Sequence, residues 1–432
     1  MNETCTIVRK VKLFPMGDKE EINRVYTYLR EGIESQNRAM NQYMSALYMA
    51  MMQDISKEDR KELNSLYQRI STSKKGSAYD DTIEFAKGLP VGGSITQKVK
   101  ADFDNAMKKG LKYGRISLPT YRDKNPLLVH RDYVRLLETN PHLKNGIYHN
   151  YETMDEFKEH LYKDDFEMFI KFANDITFKI IFGNPHKSRE LRSVFENIVD
   201  GTYDVQGSTI GIDGKSIILN LSIKIPKKKI ELLENVVVGV DLGLAIPAVC
   251  ALNTNDYVRL SIGSADDFLR VRTKIQAQRK RLQKDLAKSN GGHGRKKKMA
   301  SIERFEQYES NWVSSYNHMV SRRIVDFAVK NQAKYINVEC LEGFAESSNK
   351  YILRNWSYFQ LQQYITYKAN MVGIEVRKVN PYHTSQICSC CGHWEEGQRK
   401  DQAHFVCGSC GKELNADFNA ARNIAMSTDF VE

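Results

Sequence analysis

Five of the eight cysteines in this 432-residue chain lie within residues 388–410. They include two pairs, Cys388-x2-Cys391 and Cys407-x2-Cys410, which are separated by 15 residues. Two residues between paired cysteines let the chain turn so that both thiolates face one ion, and this double pair has the spacing of a zinc ribbon. Four thiolates make a closed tetrahedral shell, so the spacing predicts a structural Zn²⁺ site.

The neighbours of these pairs fit the same prediction. Gly392 and Gly411 follow the two pairs, where a tight turn can need a positive φ. Cys390 does not have the two-residue spacing, and we interpret it as a spare thiol, with an exchange for either adjacent cysteine as the alternative. His393 and His404 could replace a cysteine, but four well-spaced thiolates make that unnecessary.

Three acidic residues stand at the ends of apolar segments. Asp241 ends "VVVGVD", Glu339 ends "YINVE" and Asp417 lies at the start of "NADFNAARNIA". A carboxylate beside an apolar run is costly unless it is paired or bound to metal, although a helix cap or a salt bridge is the commoner explanation for a single case. Three such acids at one edge of a sheet would suit Mg²⁺, and two Mg²⁺ ions held by carboxylates can catalyse phosphodiester cleavage.

The N-terminal half alternates between helical and strand-like patterns. Residues 1–14 alternate as a strand does, and Asp18 and Glu21 form a D-x-x-E capping pattern before a long amphipathic helix. The helix has a methionine stripe that predicts core packing, with a dimer surface as the alternative: Met40, Met44, Met51. A β-rich segment follows from residue 115, with a predicted hairpin turn at Asp213-Gly214.

The C-terminal half reads as an α/β sheet with mixed pairing. Three consecutive strands from Val236 precede two predicted helices, 264–288 and 300–331, which "SNGGHGRKKK" separates. A strand, a helix near 357–372 and another strand then lead to the cysteines and a final helix. This order would allow the three acids, each at an edge of the sheet, to converge on one site.

Charge and hydropathy limit the function classes. The net charge is +11, and basic residues occur in runs such as "GRKKK" at Gly294–Lys298, which favours a phosphate-rich partner over solubility alone. No apolar run approaches the roughly 20 residues that span a bilayer, and the N-terminus lacks a signal-peptide pattern. We therefore expect a cytosolic protein without a membrane partner.

"VGVDLGLA", "INVECLEGF" and "NADFNAARNIA" resemble the three split motifs of a RuvC-type nuclease. A zinc ribbon directly before the third motif is the arrangement of type V CRISPR effectors and of transposon-encoded TnpB proteins. The short chain and the order of its parts most resemble the miniature type V-F effectors. The match is specific over about 236–432, and over 1–235 it depends on architecture.

The resemblance implies a multidomain α+β protein with four parts. These are a β-barrel-like wedge domain (1–17 and 119–235), an inserted helical recognition domain (18–118), an RNase H-like nuclease domain (236–382 and 413–432) and an inserted zinc ribbon that binds target nucleic acid (383–412). Cys5 is the only cysteine before Cys250, so the N-terminal zinc finger of some miniature effectors is missing.

The resemblance also implies an antiviral, RNA-guided endonuclease with one active site that cuts both DNA strands. Asp241, Glu339 and Asp417 would be the Mg²⁺-binding catalytic acids, and Arg399 lies where the family has an arginine near the active site. The implied partners are a guide RNA, double-stranded target DNA next to a short T-rich motif, and a second copy of the chain on the same guide.

Two alternative functions fit the same sequence features. A TnpB-like nuclease guided by a transposon-derived RNA would use the same chemistry. A non-catalytic zinc-ribbon protein would bind nucleic acid and use the three acids only as caps and salt bridges.

Overall fold

The computed structural model describes residues 4–55, 61–62, 65, 85–91, 94–122, 125–137, 153–228, 230–243, 246–288, 293–340, 358–382, 384–401 and 403–431. The chain divides into two compact units, one formed by Thr6–Pro226 and the other by Lys227–Glu432 together with Met1–Cys5. The division into four domains predicted from the sequence is finer than this and stays a prediction. Among the described residues, no helix is both long enough and apolar enough to cross a membrane.

The N-terminal unit is built on one large sheet. Its strands are β1 (Thr4–Pro15), β2 (Leu127–Val129), β3 (Arg135–Leu137), β4 (Phe169–Lys171), β5 (Thr177–Ile180), β6 (Asp204–Val205), β7 (Ser208–Asp213) and β8 (Ser216–Pro226). Its helices include α1 (Lys19–Met52), α2 (Ser94–Lys108), α3 (Met154–Leu161) and α4 (Arg189–Val199). The strand order is β2-β7-β8-β1-β5-β4-β3, and β6 also pairs with β8. The opening strand therefore joins the β-rich segment, as its alternation predicted.

Local sequence rules explain how α1 begins and what it buries. Asp18 accepts hydrogen bonds from the backbone N–H groups of Glu20 and Glu21, and the Glu21 carboxylate accepts one from the Asp18 N–H, each at 2.8 Å. This capping box confirms the predicted helix start. Met40 and Met44 are fully buried, so core packing, and not an exposed dimer surface, describes these two residues.

The predicted hairpin is present, but its turn lies one residue further on. Asp213 pairs with Ser216, so the two turn residues are Gly214 and Lys215. Gly214 has a φ of 60°, which a glycine adopts without steric cost.

The C-terminal unit contains a second sheet and a small hairpin. Its strands are β9 (Leu233–Asp241), β10 (Ala248–Leu252), β11 (Arg259–Ile262), β12 (Ala333–Glu339), β13 (Glu375–Val379), β14 (His404–Val406) and β15 (Glu413–Asn415). Its helices include α5 (Ala265–Ala287), α6 (His293–Lys330), α7 (Tyr358–Met371) and α8 (Ala416–Met426).

Helix α6 begins seven residues earlier than the predicted 300–331. The "GRKKK" run is therefore helical and does not separate two helices. Lysine and arginine are good helix formers, and a charged run without proline can extend a helix at little cost.

The second sheet has mixed pairing in the order β11-β10-β9-β12-β13. Strands β9, β10 and β11 are antiparallel, whereas β12 runs parallel to both β9 and β13. One face packs against buried side chains of α5, α6 and α7, including Phe268, Ile324 and Leu361. The other face packs against α8 through Phe418 and Ala421. The mixed α/β sheet predicted from the sequence is confirmed.

Candidate functional site

Two of the three predicted acids end neighbouring strands. Val240 of β9 is in register with Val338 of β12, so the next residues, Asp241 and Glu339, are adjacent at the carboxyl ends of two parallel strands. Neighbouring strands lie about 4.8 Å apart, and residues in the same register share a face of the sheet. Asp241 and Glu339 therefore form an acidic pair at one sheet edge.

Helix α8 approaches the same face because β9 carries a glycine there. Gly239 lies two residues before Asp241, and a β-carbon at this position would overlap the backbone of Ala421 and Ala425. Asn337, which is opposite Gly239 in β12, donates its side-chain N–H to the carbonyl oxygen of Ile424 at 2.9 Å. The C-terminal half of α8 is thus held against the strands just before the acidic pair.

The N-terminus of α8 carries the third acid. The Asn415 side chain caps the helix by accepting a hydrogen bond from the N–H of Phe418 at 3.0 Å. Asp417 is only 4% exposed. A β-carbon on Gly243, in the loop after β9, would lie 4.0 Å from Asp417 Oδ2. The structure therefore brings Asp417 to the end of β9, beside Asp241.

The acids interact electrostatically. Burial raises the pKa of Asp241 well above its usual range, and the negative charges of Glu339 and Asp417 raise it further. Burial also raises the pKa of Asp417. Carboxylates that share a desolvated site disfavour each other's ionisation, and a bound cation removes that conflict. The cluster is therefore a candidate metal site.

Arg399 belongs to the segment between the two cysteine pairs, and its side chain reaches the acidic cluster. Its Nη2 atom lies 3.1 Å from Asp417 Oδ1, and its side chain is 29% exposed. Its charge lowers the pKa of Asp241, Glu339 and Asp417, opposing the effect of burial. The structure thus places the four residues predicted for the catalytic site in one cluster.

Two further residues hold Glu339. The Thr384 hydroxyl lies 2.5 Å from Glu339 Oε1, and the side-chain N–H of Gln362 donates to the Glu339 carbonyl oxygen at 2.7 Å. The Thr384 bond lowers the pKa of Glu339, which burial raises. The sequence analysis missed both residues, because Thr384 is 45 positions from Glu339 and no local pattern marks it.

The four predicted cysteines also converge. Their sulfur atoms all lie within 4.8 Å of one another, and this cluster could hold a metal ion: Cys388, Cys391, Cys407, Cys410. Cys390 is exposed and lies outside the cluster, which agrees with its interpretation as a spare thiol.

The turns around the cysteines have the predicted geometry. Gly392 and Gly411 have φ values of 73° and 65°, so both lie in the region that favours glycine. The backbone N–H of Cys410 approaches Cys407 Sγ at 3.4 Å and is the main cause that lowers the pKa of the Cys407 thiol to about 6. A thiolate, the form that binds metal, is thereby favoured at Cys407.

Two asparagines of α8 attach the start of the cysteine segment to this helix. Asn419 accepts a hydrogen bond from the Ser389 N–H at 2.9 Å and donates to the Ile387 carbonyl oxygen at 2.7 Å. Asn423 donates to the carbonyl oxygens of Thr384 and Ile387 at 2.8 and 2.7 Å. The sequence analysis did not identify these asparagines. Their i, i+4 spacing in "NADFNAARNIA" is the pattern that indicates a shared helix face.

Comparisons with known proteins agree with this arrangement. Residues 358–424 match the family described as "Cas12f1-like, TNB domain". The structure resembles one described as the cryo-EM structure of the Cas12f1-sgRNA-target DNA complex, with a TM-score of 0.66 at 20% identity, covering 98% of this chain and 99% of the other. The overall fold is therefore that of a Cas12 protein.

Proteins related in sequence show which family within this fold class the chain resembles. A CRISPR-associated endodeoxyribonuclease Cas12f1 from Sulfoacidibacillus thermotolerans is 32% identical over 360 residues, which cover 82% of this chain and 81% of that protein. A TnpB-like protein from Methanocaldococcus jannaschii is 28% identical over 163 residues, which cover 36% of this chain and 55% of that protein. The chain belongs to the Cas12f1 family of CRISPR-associated endodeoxyribonucleases. The predicted resemblance and the predicted nuclease class are confirmed.

Proposed function

We propose that this chain cuts DNA at the Asp241–Glu339–Asp417 cluster under the direction of a guide RNA. The observation that carries the proposal is the convergence of three carboxylates, those of Glu339 and Asp417 buried, from β9, β12 and α8 at one sheet edge. The order of the sheet, with three antiparallel strands followed by two parallel ones, supports an RNase H-like, RuvC-type domain.

The donor set of this cluster fits Mg²⁺. Asp241, Glu339 and Asp417 offer hard carboxylate oxygens, and burial raises the pKa of each, as is expected for acids gathered in a desolvated site. One or two Mg²⁺ ions bound there would activate water and stabilise the leaving oxygen during phosphodiester hydrolysis. The protein would hold its carboxylates in place before substrate arrives, through the register of β9 with β12 and the cap of α8.

Arg399 would act on the substrate side of the cluster. Its guanidinium is part-exposed and already bonded to Asp417, so it could exchange that carboxylate for a phosphate oxygen of the bound strand. A guanidinium contact of this kind positions the scissile phosphate and stabilises the charge that develops on it.

The four-cysteine cluster fits Zn²⁺ by its dimensions. Zn–S bonds of about 2.3 Å in a tetrahedron place sulfur atoms about 3.8 Å apart. The Cys388–Cys410 and Cys391–Cys407 sulfur pairs lie 3.8 and 3.6 Å apart. Zinc would fix this segment, and Asn419 and Asn423 would transmit its position to α8 and the acids. We propose that the ribbon presents the nucleic acid strand to the cluster.

The partners follow from the same proposal. The structural relative is described as a complex with sgRNA and target DNA, and the net charge of +11 suits two polyanionic partners. Guide pairing would select the sequence next to a short T-rich motif, and both strands would visit the single site in turn. A homodimer on one guide RNA and a cytoplasmic location are further parts of this proposal.

The decisive experiment replaces Asp241 with alanine. The purified complex with guide RNA should keep its affinity for matched DNA and lose Mg²⁺-dependent cleavage. Asp326→Ala is the matched control, because Asp326 is an exposed acid of α6 that pairs with Arg322 at 3.0 Å. Persistent cleavage by Asp241→Ala would refute the assignment of the site.

The similarity to a TnpB-like protein supports a second candidate function, which is that of a nuclease guided by a transposon-derived RNA. Both functions would use the same cleavage chemistry, so the test measures how many protein copies are present for each RNA in the purified complex. Two protein copies for each co-purified RNA favour the CRISPR effector, and one copy favours the TnpB-like nuclease.

A further inference from the structure

We infer that Thr384 is a positioning residue that sets the orientation of the Glu339 carboxylate for the metal cluster and links it to the start of the zinc ribbon. This inference rests on the proposed function of the cluster. It concerns a residue outside the three acids, and it assigns a role to the segment between β13 and the first cysteine.

The contact has the geometry of a strong hydrogen bond. The Thr384 hydroxyl lies 2.5 Å from Glu339 Oε1, which is within the range of about 2.5–2.7 Å for an O–H donor and a carboxylate. Thr384 is 8% exposed, as is Glu339, so water competes little for either group. The hydroxyl has one proton and a second acceptor within reach, the Pro381 carbonyl oxygen at 3.2 Å, so the shorter contact assigns the proton to Glu339 and fixes the rotation of its carboxylate.

Thr384 is itself fixed by the helix that carries Asp417. Its carbonyl oxygen accepts the hydrogen bond from Asn423 at 2.8 Å, and the same amide holds Ile387 at 2.7 Å. Cys388, the first ribbon ligand, follows Ile387 directly. A short path of bonded groups thus runs from the ribbon through Thr384 to Glu339, and another runs through α8 to Asp417.

Groups that orient metal ligands commonly change metal affinity or activity about 10–100-fold when they are removed. Thr384→Val keeps the shape of the side chain and removes the hydroxyl. The remaining carboxylate would rotate more freely, and it would have to be ordered by the metal itself. A weaker metal site is therefore expected, without loss of the carboxylates that form it.

The test measures metal binding apart from cleavage. Mn²⁺ binding to the RNA-free, full-length protein is followed by electron paramagnetic resonance, because RNA phosphates would bind Mn²⁺ themselves, and thermal stabilisation of the same protein by Mg²⁺ is measured in parallel. Thr384→Val should raise the half-saturating concentration of both ions about tenfold. Its cleavage should fall at limiting Mg²⁺ and recover in part at high Mg²⁺, with zinc content and guide affinity unchanged.

Two variants separate the hydroxyl from a general packing effect. Thr384→Ser keeps the hydroxyl and should restore metal affinity to within a few-fold of the unaltered protein. Thr209→Val is the matched control, because the Thr209 hydroxyl also makes a side-chain hydrogen bond, accepting from Asn220 at 3.0 Å, but it lies in β7 of the N-terminal unit. If Thr384→Val fails to fold, Thr384→Ala removes the same hydroxyl with a smaller side chain.

Unchanged metal affinity in Thr384→Val, or a serine variant as impaired as the valine variant, would overturn the inference. Neither outcome affects the proposed function, which depends on Asp241→Ala. Conversely, cleavage that survives Asp241→Ala would refute the proposed site, whatever Thr384 does.

Discussion

Gly239 of β9 lies directly against the backbone of Ala421 in α8, so closely that a β-carbon at position 239 would overlap the Ala421 carbonyl oxygen. Asp241 follows Gly239 on the same face of the strand, and Asp417 precedes Ala421 by one helical turn. The close approach of helix and strand therefore sets the distance between two of the proposed metal ligands.

Gly239→Ala should destabilise the C-terminal unit and weaken cleavage. The added methyl group meets backbone atoms of Ala421 and Ala425, and backbone atoms cannot rotate away as a side chain can. We therefore expect the free energy of unfolding to fall by about 2 kcal/mol. The thermal transition should fall, and Mg²⁺ should stabilise the variant less because Asp417 is displaced.

Gly294→Ala is the control for that substitution. Gly294 is in α6, and a β-carbon there would meet no atom within 4 Å. Gly294 is the second residue of this helix, and alanine is the better helix former, so the variant should be at least as stable as the unaltered chain. Equal stability of both variants would contradict the packing argument.

The sequence predicted the chemical groups of the site better than the contacts that hold them. The cysteine spacing and the acids at the ends of apolar runs are local signals, and all these residues converge in the structure. The roles of Thr384 and Gly239 depend on contacts between distant segments, which no local period encodes. The sequence analysis missed the start of α6 at His293 because a run of basic residues can belong to a linker, although lysine and arginine are also good helix formers.

Cys407→Ser should lower zinc content and DNA cleavage together. It removes one of the four clustered thiolates, and a closed structural site tolerates the loss of a ligand poorly. Zinc is measured in the purified complex by elemental analysis. Cys390→Ser is the matched control, since Cys390 is exposed and outside the cluster, and it should keep full zinc and activity. Full activity of Cys407→Ser without zinc would refute the supporting role of the ribbon.

Arg399→Ala should separate metal binding from catalysis. The guanidinium competes with a metal for Asp417, so its removal should strengthen Mg²⁺ binding to the free complex. Cleavage should nevertheless fall about 10²–10³-fold, as when a group that stabilises transition-state charge is lost. Arg399→Lys keeps the charge but not the paired donors and should be intermediate. Unchanged cleavage by Arg399→Ala at saturating Mg²⁺ would remove this residue from the site.

The acidic cluster should contribute less to the stability of the metal-free protein as pH rises from about 4 toward neutrality through its raised pKa values. Burial raises the pKa of Asp241, Glu339 and Asp417 in the folded state, so the folded chain binds more protons than the unfolded chain within that window. This contribution therefore decreases with increasing pH there, and Mg²⁺ should reverse the trend by replacing the protons.

Asp241→Asn tests the direction of this pH dependence, because it removes one negative charge and keeps nearly the same side-chain shape. At neutral pH without metal, the variant should melt higher by about 2–4 °C, the shift that about 1 kcal/mol produces in a unit of roughly 200 residues. Its advantage over the unaltered chain should shrink as pH falls toward 4, and added Mg²⁺ should stabilise it less. Asp326→Asn, an exposed acid paired with Arg322, should show no such pH-dependent gain. A metal-free variant that melts lower at neutral pH would show that the three carboxylates do not repel one another there.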